Sequence, residues 1–127
     1  MEHYVTLFDN NFLPQGLALF ESLERHAGDH VLWVLCLDDC ARQVLDDLAN
    51  PSLRTIPLTE VETPDLLAVK SGRSLAEYSW TLTPFTPRFV FERDTSATRV
   101  TYLDADLFLL KSPRPIFDEF ELSLIHI

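Results

Sequence analysis

Residues 31–37, Val-Leu-Trp-Val-Leu-Cys-Leu, form an unbroken apolar run. A strand with one wet face alternates apolar and polar residues, because its side chains point to opposite sides in turn. A strand without that alternation needs cover on both faces, and a parallel sheet between two layers of helices provides it.

The rest of the chain fits that requirement. Residues 4–8 read as a buried strand that breaks at Asp9-Asn10-Asn11. Pro14 suits a first helical turn, Arg25 and His26 a last turn, and Gly28 a C-terminal cap. Asp38 or Asp39 can cap a second helix with Val44, Leu45 and Leu48 as its apolar stripe, ended by Asn50-Pro51. Residues 53–58 read as a weaker strand near an edge, because Pro57 cannot donate to a ladder. Thr63-Pro64 starts a short helix to about Lys70, and residues 71–74 read as a loop. Thr83-Pro84 and Thr86-Pro87 each offer a hydroxyl cap followed by Pro, the second being the better start of a helix to about Arg93. Residues 99–103 form the next strand, residues 107–110 a second short apolar piece, and residues 116–120 the beginning of a helix. Strands alternating with helices imply right-handed crossovers, and ligands then bind beyond the carboxyl ends of the strands. Two polar clusters fall there, Asp9-Asn10-Asn11 and Asp104-Ala105-Asp106.

With 127 residues, the chain holds one ordinary core. A net charge of -10 argues against nucleic-acid binding, which needs clustered cations. A nucleotide ligand is also an anion, so it would need a local cation to reverse the field. No apolar run is long enough to span a bilayer, and the opening Met1-Glu2-His3-Tyr4 lacks a signal-peptide pattern. Cys36 and Cys40 suggest free thiols in a reducing cytoplasm. His3, His26 and His30 read as surface or strand-edge residues.

Asp104 and Asp106 stand two positions apart, separated by a small residue and flanked by apolar ones. On extended backbone both carboxylates point to one side, partly desolvated and mutually repelling. A hard cation with oxygen ligands relieves that, and Mg²⁺ or Mn²⁺ fits best. Such an ion would also neutralise a diphosphate leaving group. An Asp-x-Asp taken alone also describes a polar turn leaving a strand. Here the preceding strand, the apolar segment after it and the position in an α/β pattern favour the metal.

In that context Val100-Thr101-Tyr102-Leu103-Asp104-Ala105-Asp106 resembles the metal-binding segment of GT-A-type glycosyltransferases, especially glycosyltransferase family 8. The tail Leu110-Lys111-Ser112-Pro113-Arg114-Pro115-Ile116-Phe117 is similar to the stretch after that segment in the family. The opening Thr6-Leu7-Phe8-Asp9-Asn10-Asn11-Phe12, with Glu21-Ser22-Leu23 in the next helix, is similar as well. The likeness spans residues 4 to about 120 and is patchy over residues 55–79. It implies a three-layer, Rossmann-like α/β fold with a mostly parallel sheet, incomplete at the C-terminus. It also implies transfer of a sugar from a nucleotide-diphosphate sugar, a UDP-sugar foremost, to a saccharide, lipid or protein acceptor. By the same resemblance Asp104 and Asp106 bind Mn²⁺ or Mg²⁺, and Asp104 also approaches the ribose. Asp9 and Asn11 hold the nucleoside, Phe12 lies near the base, and Arg88 contacts the donor sugar or phosphates. Asp9 and Asn11 serve equally well as cap and turn residues, and Arg88 as a solvated helix-face charge. Lys70 and Arg73 could face the diphosphate but read more simply as surface charges.

The family's third metal ligand, often a His well after the acidic pair, has no counterpart. Residues 122–127, Leu-Ser-Leu-Ile-His-Ile, read as the translation of a transposon-end adapter from sequencing libraries, the alternative being a native apolar strand. His126 is set aside with them, and residues 1–121 are taken as the nucleotide-sugar-binding domain. The chain would then lack the acceptor half and be inactive alone. Three other readings compete. A haloacid-dehalogenase-like phosphatase would want a hydroxyl residue soon after the second Asp, where Leu107 and Phe108 stand. A nucleotidyltransferase would want a Gly-rich basic first loop. A non-catalytic nucleotide-sugar-binding module would bind donor without transfer.

Overall fold

The structure, a computed structural model, describes residues 1–125, with side chains through residue 119. Four strands form one all-parallel sheet: β1 (Glu2–Phe8), β2 (His30–Cys36), β3 (Leu53–Pro57) and β4 (Val100–Tyr102), in the order β3-β2-β1-β4. Between them run α1 (Leu13–His26), α2 (Asp39–Asp47), α3 (Pro64–Lys70), α4 (Leu75–Leu82) and α5 (Thr86–Arg93), and α6 (Arg114–Ile125) comes after β4. This is a Rossmann-like α/β sheet.

The apolar run of β2 is buried throughout. Its odd positions Val31, Trp33 and Leu35 join Val5 and Ile56 under α3, α4 and α5, through Leu66, Tyr78, Leu82, Phe89 and Val90. Its even positions Leu32, Val34 and Cys36 join Tyr4 and Phe8 under α1 and α2, through Leu19, Leu23, Ala41 and Leu45. The period-two geometry thus sends alternate side chains into two cores, giving three layers. Burial pushes the Cys36 thiol up to about 12, whereas Cys40 is exposed on α2.

The chain steps from β1 to β2 to β3 in one direction, with α1 and α2 on one face. It then crosses back to place β4 on the other side of β1, carrying α3, α4 and α5 over the opposite face. Right-handed crossovers require that change of face when the direction reverses. The reversal leaves a crevice between the carboxyl ends of β1 and β4, the position where such sheets bind ligands. Tyr102 pairs with Val5, so the segment after β4 leaves the sheet beside the last residues of β1.

Local signals explain most boundaries. Pro14 lies in the first turn of α1, Arg25 and His26 in its last, and Gly28 takes a φ of 68° just beyond. The Asp38 side chain caps α2, and Thr63 caps α3. Three expectations need correction. On α2 the buried stripe is Ala41 and Leu45, whereas Val44 and Leu48 are exposed, because residues four apart face the sheet. Helix α5 begins at Thr86 without a hydroxyl cap: the Thr86 hydroxyl donates instead to the Thr83 carbonyl at 2.8 Å, continuing a 3₁₀ turn over Thr83–Phe85. His3 and His30 are buried, not superficial: His3 accepts the Trp33 indole N–H at 3.1 Å, and His30 Nδ1 lies 2.7 Å from the Gly28 carbonyl. Residues 71–74 are the expected loop, and helix α4, which the sequence reading did not place, follows it directly. Its signal is in the sequence: Ser74-x-x-Glu77 forms a capping box in which each side chain meets the other's backbone N–H. Tyr78 then locks α4 to the core, donating to Glu62 at 2.7 Å while Lys70 meets the same carboxylate oxygen at 2.9 Å.

Residues 126–127, which include His126, lie outside the described residues; α6 covers the preceding ones. Among the described residues, no helix is long and apolar enough to cross a membrane.

Candidate functional site

The crevice at the reversal opens into a cavity of about 780 Å³, within the usual range for small-molecule sites. Asp9, Asn11 and Phe12 line it from the loop after β1, and Asp104, Ala105 and Asp106 from the segment after β4. Two clusters more than ninety positions apart in sequence therefore share one site. Tyr102 contributes from the end of β4, and Leu75, Ala76, Ser79, Trp80, Thr83 and Pro84 form the wall from α4 and the turn after it.

The first loop is built by its own side chains. Asp9 accepts the backbone N–H groups of Asn11 at 3.0 Å and Phe12 at 3.3 Å, both on Oδ1, and so caps the 3₁₀ turn Asn10–Phe12. Asp38 reaches across from the end of β2: its Oδ2 accepts the Asn10 N–H at 2.9 Å and its Oδ1 that of Ala41 at 2.8 Å. One carboxylate thereby starts α2 and ties the two rim loops together. Asp9 is thus a cap residue and a cavity residue at once.

The acidic pair is reached by a turn and not by extended backbone. The Leu107 N–H donates to the Asp104 carbonyl at 3.1 Å around Ala105 and Asp106. Strand alternation, the basis of the sequence reading, therefore is not what brings the carboxylates to one cavity. Both are exposed, as are Leu107 and Phe108, so the expected desolvation is absent too. Ala105 and Leu109 instead pack against the α1 core. Ser22, fully buried on α1, donates to the Leu19 carbonyl at 2.7 Å and accepts the Leu109 N–H at 3.0 Å, which pins the segment after the pair. Burial raises the Tyr102 phenol above its ordinary pKa; the neighbouring Thr83 side chain works against that rise, and the Asp104 and Asp106 charges add to it.

The cationic candidates stand elsewhere. Arg88 does not line the cavity: it is exposed on α5 and pairs with Glu92 at 3.1 Å. Its helix turns that position outward while Phe89 and Val90 face the core. Lys70 is committed to Glu62, and Arg73 hydrogen-bonds Thr81. Among the described residues the lining holds three aspartates and no Lys, Arg or His. An anionic ligand would meet a negative field there unless a cation came with it. The donor set suits a hard divalent ion, since carboxylate oxygens are its preferred ligands. Among the described residues no three His, Cys, Asp or Glu side chains come together as a metal cluster. Sequence reasoning missed the α4 wall, Trp80 above all, and the fastening roles of Asp38 and Ser22.

No family model matches the chain. It is similar to two Bacillus subtilis (strain 168) proteins, each described as an uncharacterized protein. It is 36% identical to YfnF over 115 residues and 32% identical to YfnD over 117 residues. The matches take in 91% and 92% of this chain, which spans 38% of the length of either relative.

Proposed function

We propose that this cavity binds a nucleotide-diphosphate sugar together with Mn²⁺ or Mg²⁺, within a GT-A-type glycosyltransferase that transfers the sugar to an acceptor. The observation that carries the reading is the shared cavity: a polar loop after β1 and an acidic pair after β4 meet where the sheet order reverses. Asp104 and Asp106 would hold the metal, whose chemistry is to offset the negative charge that grows on the diphosphate as its bond to the sugar breaks. Oxygens of the diphosphate and of water would be suitable further ligands for such an ion. Asp9 and Asn11 would orient the nucleoside, with Phe12 against the base.

Calorimetric titration of UDP-, GDP- and dTDP-sugars, with and without Mn²⁺, tests the reading. At least one nucleotide sugar is expected to bind saturably with the metal and about 100-fold more weakly without it, given the acidic lining. Absence of binding by every donor, or binding indifferent to metal, contradicts it. A phosphatase reading is tested in parallel with a generic phosphate ester, which should not be turned over.

A further inference from the structure

We propose that Trp80 is the platform on which the sugar ring of the donor rests, so that donor choice at this site is made by aromatic stacking. The inference depends on the nucleotide-sugar reading and names the part of that ligand which Trp80 recognises. Trp80 is 71% exposed although it is the largest side-chain type, and it lines the cavity from α4. It is not an isolated surface residue: Leu75 on the same helix and Phe12 on the first loop are also exposed there, at 60% and 52%. A cluster of exposed apolar groups around a concavity marks a surface meant to be covered.

The lining decides which part of the ligand covers it. Thr83, in the turn after α4, and Asp104 both neighbour Tyr102, and all three line the cavity. The C-terminal end of α4 therefore stands on the acidic pair's side of the cavity. A metal and diphosphate held by Asp104 and Asp106 would carry the sugar, which is bonded to the distal phosphate, towards this wall. The nucleoside, held by Asp9 and Asn11, would lie towards Phe12. Among the described residues no Lys, Arg or His lines the cavity. An indole needs none: its negative face attracts the polarised C–H groups that a pyranose presents on one side. Trp80 is thus suited to a neutral hexose with a clean apolar face, while Ser79 and Thr83 hydroxyls beside it can meet ring hydroxyls.

The test compares each nucleoside diphosphate with its sugar derivative, in Mn²⁺: UDP with UDP-glucose, GDP with GDP-mannose, dTDP with dTDP-glucose. The full chain, Trp80→Ala and Trp80→Phe are titrated. For the pair that binds, Trp80→Ala should weaken the nucleotide sugar about ten-fold and leave the nucleoside diphosphate within about two-fold, with Trp80→Phe in between. Equal loss of both, or loss of neither, overturns the assignment while leaving the site reading intact. Failure of every ligand to bind the unmodified chain removes the site reading, and the assignment with it. Fluorescence gives an independent readout, because Trp33, the other tryptophan, is buried. The sugar derivative should shift the emission of exposed Trp80 to the blue and the bare diphosphate should not. Trp80→Phe should abolish that shift, and its persistence would count against the assignment.

Discussion

Asp106→Asn is expected to abolish metal-dependent donor binding while leaving the fold unchanged, and Asp104→Asn to do nearly the same. Outer-shell partners of metal ligands already cost roughly 10- to 100-fold in affinity when removed, so a direct ligand should cost at least about 100-fold. Asn keeps the size of Asp but loses the charge, and the charge is what offsets the ion. Both side chains are exposed, so the substitutions should change stability by no more than about 0.5 kcal/mol. Titration of Mn²⁺ with the best-binding nucleotide sugar, beside circular dichroism of the same samples, separates the outcomes. Undiminished binding in both variants would remove the acidic pair from the site.

The second large effect concerns packing behind the cavity. A Cβ built on Gly16 of α1 would lie 2.3 Å from Cε2 and 2.4 Å from Cζ of Phe8, far inside any real contact. Phe8 is packed into the α1 core on one side and lines the cavity on the other, so its ring can yield only towards the cavity. Gly16→Ala gains about 1 kcal/mol of helix propensity, yet overpacking of this kind costs roughly 1–3 kcal/mol and here should exceed that gain. Thermal unfolding should drop by several degrees, and donor affinity should fall with it as the ring is driven towards the cavity. Phe8→Leu in the Gly16→Ala background should recover part of the loss, because the two residues are in contact. Strict additivity of the two substitutions would show that the ring is not what Gly16 accommodates.

Much of the fold could be read from residue order. The unbroken run at residues 31–37 required cover on both sides, and two helical layers supply it. Pro14, Gly28, Asp38 and Thr63 mark helix ends because each satisfies or avoids a local backbone demand. The site was legible to the extent that strand ends are: Asp9, Asn11, Phe12, Asp104 and Asp106 do share a cavity. What failed depended on partners distant in sequence. His3 is buried because Trp33, thirty residues later, donates to it. Arg88 faces out because Phe89 and Val90 take the inner side of α5. The turn at Ala105-Asp106 reflects where Ala105 and Leu109 find the α1 core, which no spacing of aspartates reveals. Trp80 escapes a reading by periodicity because its helix announces itself only through the Ser74–Glu77 capping box.

On the proposed reading a divalent ion sits between Asp104 and Asp106 and meets a donor diphosphate there. Crystals soaked with Mn²⁺ and the tightest-binding nucleoside diphosphate, measured at the manganese absorption edge, would show it. The expected result is one strong anomalous peak in contact with both carboxylates and with the diphosphate. A map with the nucleotide bound but no manganese at these two residues would contradict it.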